Sequence, residues 1–207
     1  MKAPMPDRVL FTLVVVLWCG CVAPSKPEPS YVSADFPLAN IRQLAVLPLI
    51  DARVDRSQKI NERKMSAGIK KFTRSPLRKR GYEPIYLRDL EVPTVPSGLL
   101  EHPDPELLKA ICPPDHRYSL LFLIEDMSQR NHFFSAETGT IVAMGIVDGT
   151  TGTVLYHDMD VKRQTGSGTV GLVMKGTTQY NSVMFSVEAL VKKLPKRGGQ
   201  VPEMPRR

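Results

Sequence analysis

The sequence predicts an α/β protein of the α+β type, with a single mixed sheet and helices packed on it. The first observation behind this fold class is the order of apolar segments, β-α-β-α-β-β-β-α, which interleaves helices with strands. The second is the segment GTTG at residues 149–152, because glycine-rich turns between two β-rich runs are typical of hairpins. The third is composition: 42% of the 207 residues are hydrophobic, which excludes a wholly disordered chain and suits one compact domain.

The first half of the predicted domain consists of a strand, a helix and a second strand. Residues 43–49 form a short apolar run rich in β-formers, and we expect a buried strand there. Residues 57–80 carry apolar side chains at helical spacing and predict an amphipathic helix that is kinked or ended near Pro76. Residues 82–87 predict the second strand, and Pro84 limits that strand to a sheet edge or a bulge.

The second half of the predicted domain begins with a short helix. Asp104 is a favourable N-cap ahead of a proline and an acidic residue, which predicts a helix over residues 105–111. Residues 118–124 are the most apolar run after the N-terminal segment and predict a central strand. Residues 138–148 and 153–162 predict the two strands of the hairpin.

A last helix is marked by apolar residues on one face, and Pro195 ends it. We expect Leu190 to pack this helix over the sheet, and we expect Val46, Leu121 and Leu123 to be buried strand positions. The apolar face of the helix consists of Val183, Val187, Leu190, Val191 and Leu194.

Residues 1–20 are typical of a signal peptide. A positively charged start precedes residues 9–18, which are almost wholly apolar but too few to span a bilayer as a permanent anchor. Gly20-Cys21 resembles the bacterial lipobox, in which the cysteine receives diacylglycerol and becomes the new N-terminus. We therefore expect Cys21 to be acylated; the alternative is an ordinary cleaved signal with incidental cysteines.

Residues 21–40 are expected to form a lipidated, proline-rich tether. Several acyl chains on Cys21 would hold the protein on the membrane, because stable anchoring takes more than one chain. Val22, rather than an aspartate, follows this cysteine, and in the sorting rule of many Gram-negative lipoproteins that residue implies the periplasmic face of the outer membrane. Once Cys21 is acylated only Cys112 remains, so we expect no intramolecular disulfide.

Three short segments resemble a group of bacterial envelope lipoproteins that share a small α/β domain. They are LAVLPL at residues 44–49, LRKRGY at residues 77–82 and DGTTGTVL at residues 148–155. The group includes LpoB, CsgG and the amino-terminal domain of TolB. The resemblance implies an α/β lipoprotein domain over residues 41–195, followed by a basic flexible tail over residues 196–207, and it brings no catalytic residues with it.

The sequence contains only weak motifs for cofactor binding, metal binding or catalysis. Residues 166–171 match the glycine spacing of a dinucleotide-binding loop, but only the last helix follows them, so we expect a flexible connection and no cofactor. Two pairs of residues are candidates for catalysis: Cys112 with His116, and Asp158 with Asp160. For Cys112 we expect an unreactive thiol that is buried or lies in a loop. For the two aspartates we expect solvated carboxylates at the edge of the sheet. The histidines lack metal-ligand spacing, and no metal site is expected. They are His102, His116, His132 and His157.

A candidate contact surface is the basic helix. Between Lys59 and Arg80 there are nine Lys or Arg residues against one acid, Glu62. Contact with anionic lipid or with an acidic envelope protein is one interpretation, and a merely solvated face is the alternative. The residues expected at the contact are Lys70, Lys71, Arg74 and Arg78.

These features together predict a lipid-anchored periplasmic lipoprotein. We expect its domain to be a non-enzymatic interaction module of an envelope assembly, in secretion, wall synthesis or transport; the alternative is an envelope hydrolase whose site the sequence hides. The net charge of +7 would also suit nucleic acid, which the compartment excludes. The expected partners are the membrane, an envelope protein and a second copy of the chain in a homo-oligomer.

Overall fold

The computed structural model describes residues 31–36, 39–87, 90, 92–132, 135–167 and 175–197. The predicted signal peptide and Cys21, the predicted acylation site, lie outside the described residues, as do most of the predicted tether and tail. Within them, no helix is both long and apolar enough to cross a membrane. The elements are β1 (Tyr31–Val32), β2 (Gln43–Val46), β3 (Ile50–Asp51), α1 (Glu62–Lys79), β4 (Glu83–Tyr86), α2 (Pro105–Ile111), β5 (Tyr118–His132), β6 (Ser135–Asp148), β7 (Thr153–Ser167) and α3 (Lys175–Lys193).

The described strands form one mixed sheet, as predicted. Its strand order is β1-β7-β6-β5-β2-β4, and β3 pairs with β5 beside this path. The strands β2, β3, β4 and β5 pair in parallel, whereas β5, β6, β7 and β1 pair in antiparallel fashion. Strand β4 lies at an edge of the sheet, which confirms what Pro84 predicts, because proline has no backbone N–H to donate to a second neighbouring strand.

Both faces of the sheet are covered, which explains the near-continuous apolar run of β5. Leu120, Phe122 and Ile124 belong to the core on the face that α1 and α3 cover. Leu121 and Leu123 belong to the core on the opposite face, which α2 and the chain before it cover. The predicted core residues Val46, Leu121, Leu123 and Leu190 are all buried.

The three antiparallel strands are longer than predicted. Strand β5 continues to His132, β6 begins at Ser135 and β7 ends at Ser167, so the ladder runs well past the apolar segments. An apolar run indicates only the part of a strand that is buried in a core. Backbone hydrogen bonds to a neighbouring strand can extend the strand into polar residues beyond that part. Part of the predicted flexible connection, residues 166–167, therefore belongs to β7, and residues 168–174 lie outside the described part.

Helix α1 begins later than predicted, and it does not end at Pro76. The Asn61 side chain accepts a hydrogen bond from the Lys64 N–H at 2.9 Å, which caps the first turn and places the start at Glu62. The helix continues through Pro76 to Lys79, since the turn that follows the proline is held by the fully buried Leu77. Gly81, with φ at +88°, then turns the chain into β4.

Strand β1 lies within the segment predicted as a tether. Its ladder to β7 includes a hydrogen bond from the Ser33 N–H to the Leu155 carbonyl at 2.9 Å. Phe36, a few residues on, is buried with its ring 6.0 Å from that of Tyr156.

Candidate functional site: the basic helix and the groove beside it

Helix α1 separates its apolar and charged residues cleanly. Met65, Ile69, Thr73 and Leu77 recur every four residues and are buried against α3 and the sheet. The predicted contact residues point the other way and are exposed, so the structure brings all four together on one side of the helix. We call this surface the basic face; it consists of Lys70, Lys71, Arg74 and Arg78.

The charges of the basic face are not neutralised by neighbouring carboxylates. Among the described side chains, no Asp or Glu lies within ion-pair distance of any of the four. Their close neighbours are aromatic rings instead: Lys70 Nζ lies 6.0 Å from the ring centroid of Tyr86, and Lys71 Nζ lies 5.7 Å from that of Phe72. The positive charge therefore remains available to a partner.

An aromatic cluster flanks the basic face. The Phe72 ring packs edge-on at 6.4 Å against both Tyr180 and Phe185 of α3. Lys64 Nζ lies 4.9 Å from the Tyr180 ring centroid. Phe185 is 44% exposed, which is unusual for so large an apolar side chain. Cationic and aromatic side chains thus meet at one surface.

Arg80, one of the nine basic residues, does not belong to this surface. Its guanidinium donates a hydrogen bond to the Leu194 carbonyl at the end of α3, where a positive charge is favourable. The Tyr82 hydroxyl donates to the Pro195 carbonyl at 2.9 Å, and burial raises the pKa of Tyr82 to about 12. These contacts tie the end of α1 to the end of α3 and hold the basic face in place.

A groove opens beside the basic face, at the carboxyl ends of β2 and β4. The chain leaves β2 towards α1 on one face of the sheet, and it leaves β4 towards α2 on the opposite face. Parallel strands whose connections diverge in this way leave a crevice at their carboxyl ends. Here the groove has a volume of about 820 Å³ and lies between residues 46–51, residues 86, 87, 90 and 92–95, and the first half of α1.

The groove carries three basic side chains, Arg56, Arg63 and Lys70. The one carboxylate among the described lining residues is Asp51, and Arg53 binds both of its oxygens, at 2.7 and 2.8 Å. Burial acts to raise the pKa of Asp51, but the hydrogen bonds and charge of Arg53 outweigh it and lower that pKa, so the carboxylate stays ionised and paired. The net charge of the groove is positive.

The candidate reactive groups do not form one site. Cys112 is buried in the core beside α2, and burial raises the pKa of its thiol. Asp158 lies on the opposite face of the sheet under α3, where Lys193 Nζ is 3.1 Å from its Oδ2. The expectation that Asp158 is solvated is therefore wrong, because α3 covers this part of β7. Asp160 is also largely covered and lies 3.6 Å from Lys162.

The histidines are candidate metal ligands. His157 is buried in β7, and burial lowers its pKa. In the part of the chain that the structure describes, no group of three or more His, Cys, Asp or Glu side chains is arranged to hold a metal ion.

The groove is not apparent in the sequence, because its lining residues are scattered between positions 46 and 95. The available signal was topological: two parallel strands, each followed by a helix on a different face, imply a crevice at their shared edge. Periodicity within single segments does not show it.

No protein-family model matches this chain, and no curated protein matches it. Among solved structures, the chain is similar to a PelC dodecamer from Paraburkholderia phytofirmans, with 12% identity over 82% of this chain and 96% of that one and a TM-score of 0.41. Lipoprotein GNA1162 from Neisseria meningitidis shows 17% identity, coverage of 70% and 99%, and a TM-score of 0.40. A minor lipoprotein from Acinetobacter baumannii shows 7% identity, coverage of 73% and 91%, and a TM-score of 0.39.

Two of these three similar structures are named as lipoproteins. Their TM-scores are below 0.5 and their identities below 20%, so they assign neither a family nor a function to this chain. The resemblance to LpoB, CsgG and TolB stays a prediction.

Proposed function

We propose that this chain is a lipoprotein held by acyl chains on Cys21 at the periplasmic face of the outer membrane, and that its domain is a non-enzymatic interaction module of an envelope assembly. The observation that carries the proposal is the basic face, where four positive side chains share one exposed helix surface without a described carboxylate partner. The lipobox-like Gly20-Cys21 and the proline-rich segment after it support the anchor.

The partner that the surface fits best is an acidic protein face. Arginine and aromatic side chains are enriched at protein interfaces, and here Arg74 and Arg78 lie on the same helix as Phe72, which packs against the exposed Phe185. Salt screens the attraction between the basic face and a partner beyond about 8 Å at physiological ionic strength. A tether would keep the basic face close to partners at the membrane, within reach of this attraction. Adhesion of the basic face to anionic lipid is the alternative outcome.

The geometry around the candidate reactive residues supports a non-enzymatic role over hydrolysis. A nucleophilic cysteine needs a lowered thiol pKa and an accessible sulfur, whereas Cys112 is buried and its thiol pKa is raised. Asp158 cannot orient a base for this thiol, because the sheet lies between the two residues. We expect Cys112→Ser to leave the function of the protein intact, whereas a hydrolase that uses this thiol would be inactivated.

The test of the contact is a charge-matched pair of variants. Replacing the basic face by glutamine (Lys70, Lys71, Arg74 and Arg78) should reduce recovery of crosslinked partners from intact envelopes, and the contact should weaken with salt. The control removes four positive charges on solvent-accessible side chains that are already paired with carboxylates, namely Arg42, Lys109, Arg117 and Lys192. If both variants lose partner recovery equally, net charge rather than the basic face is responsible.

Two further measurements separate the alternatives. Co-sedimentation of the unacylated protein with phosphatidylglycerol vesicles, lost only in the basic-face variant, would favour the lipid surface over a protein partner. Sedimentation equilibrium of the same protein tests the predicted homo-oligomer. A basic-face variant that keeps both partner recovery and salt dependence would overturn the proposal.

A further inference from the structure

We propose that the groove binds an anionic amphiphile, meaning a single acyl chain that carries a carboxylate or phosphate headgroup. The acyl chain would lie on the apolar floor at the carboxyl ends of β2 and β4, and the headgroup would lie among Arg56, Arg63 and Lys70. This inference goes beyond the protein contact of the basic face, from which it needs only Lys70.

The groove has the size and shape of a small-molecule site. Its volume of about 820 Å³ falls within the roughly 300 to 1,000 Å³ that is typical of ligand pockets. It lies where the chain diverges to opposite faces of the sheet, so the backbone of β2 and β4 shapes it before any ligand arrives. Strand β2 is paired on both sides, with β4 and β5, which makes that floor rigid.

The floor of the groove is apolar. Leu47 and Val95 are buried beneath it, and Leu87, Leu90 and Val92 line it from the chain that follows β4. Across the groove, the first half of α1 presents the short side chains of Ser66 and Ala67 between Arg63 and Lys70, which leaves room along the helix. A wholly polar ligand would make no apolar contact with these side chains, so a ligand with an apolar part fits the groove better.

One cation of the groove, Arg56, is held in place by hydrogen bonds, and no described carboxylate forms an ion pair with Arg56, Arg63 or Lys70. Arg56 Nη2 donates to the Asp51 carbonyl at 3.0 Å, and its Nε donates to the Arg53 carbonyl at 3.2 Å. These bonds orient the guanidinium without cancelling its charge, since the Asp51 carboxylate is bound by Arg53 on both oxygens. An apolar floor beside one oriented guanidinium and two further cations complements an acyl chain with an anionic end.

The test uses the mature chain from residue 21 onward with Cys21→Ser, which lacks both the acylation site and the apolar run of the predicted signal peptide and so avoids detergent. A dansylated undecanoic acid reports binding by its fluorescence, and competitors then displace it. We expect sodium laurate and lysophosphatidylglycerol, below their critical micelle concentrations, to displace the probe. The relative strength of the two distinguishes a carboxylate from a phosphate headgroup. If dodecyl maltoside or inorganic phosphate displaces the probe as well as laurate does, the anionic amphiphile is the wrong ligand class.

Matched variants locate the site. Ala67→Trp should fill the groove and weaken probe binding about tenfold or more, whereas Ala110→Trp, at an exposed alanine of α2, should not change it. Arg56→Gln with Arg63→Gln should weaken binding by a similar factor and reduce its salt dependence. Equal affinity in these variants and the parent chain would overturn the proposal.

A third variant distinguishes failure of this inference from failure of the proposed function. Lys71→Gln, Arg74→Gln and Arg78→Gln change the basic face but none of the residues that line the groove. We expect this variant to lose partner recovery and to keep probe binding. Loss of probe binding in this variant would mean that the amphiphile lies on the basic face and not in the groove.

Discussion

The buried ion pair between α3 and β7 offers a sharp test of the fold. Lys193 lies in the last turn of α3, and its Nζ is 3.1 Å from Asp158 Oδ2. The Asp158 side chain is only 2% exposed and that of Lys193 is 20% exposed. Lys193→Met removes the cation but keeps a flexible apolar side chain of similar length, so the Asp158 carboxylate is left buried without its partner.

The expected cost follows from this burial. Removing one partner of a buried ion pair typically destabilises a protein by about 3 to 5 kcal/mol, because the remaining charge is uncompensated. Lys193 retains some contact with solvent, which places this pair near the lower end, at about 3 kcal/mol. For a chain of this size, such a loss lowers Tm by about 6 to 12 °C.

Thermal unfolding followed by circular dichroism measures the effect. The control is Lys192→Met, because Lys192 is the adjacent residue, is 61% exposed and pairs with Glu188 at the surface; it should cost less than about 1 kcal/mol. The double variant Lys193→Met with Asp158→Leu should recover most of the lost stability, since no charge then remains buried. Equal Tm shifts for Lys192→Met and Lys193→Met, or strictly additive effects in the double variant, would refute this reasoning.

Four further changes test the core, a turn, a buried histidine and the anchor. Leu123→Ala should lower the free energy of unfolding by about 2 to 5 kcal/mol in urea, and an unchanged midpoint would contradict its buried position in β5. Gly152→Ala should cost about 2 kcal/mol or more in the same assay, because φ is +72° and the new Cβ would lie 2.2 Å from the Pro105 carbonyl oxygen. Burial lowers the pKa of His157 in the folded protein below its unfolded value near 6.5. The free energy of unfolding should therefore decrease as the pH falls below that value, because the unfolded chain binds the proton more readily. His157→Gln should make this decrease in stability between pH 7.5 and 5.5 smaller. Cys21→Ser should abolish processing and membrane attachment, and mass spectrometry of the mature N-terminus would show whether the parent carries acyl chains at this residue.

Elements that a core buries could be predicted from the sequence. The strand over residues 118–124 and the helix Pro105–Ile111 follow from an apolar run and from an N-cap, and the structure has both. The polar ends of β5 and β7 could not be predicted, because their pairing depends on backbone hydrogen bonds to a neighbouring strand and not on side-chain pattern. The burial of Asp158 was missed for a related reason: strand alternation gives its face, but only the path of α3 shows what covers that face.

The candidate site was predicted in part, and helix α1 shows why. Helical periodicity separates its basic face from its buried face, so Lys70, Lys71, Arg74 and Arg78 could be grouped from the sequence. A second property of α1 is its close approach to α3, where a Cβ on Gly68 would lie 2.5 Å from Met184 Sδ and 2.7 Å from the Tyr180 hydroxyl.

That close approach links the two surfaces of α1. Because Gly68 has no side chain, Met184 and Tyr180 of α3 reach the backbone of α1, and a Cβ there would have to displace the ends of both side chains. The same helix carries the basic face and the groove wall that includes Ser66 and Ala67. The position of α1 against α3 therefore sets both the contact surface that the sequence predicts and the groove that only the topology reveals.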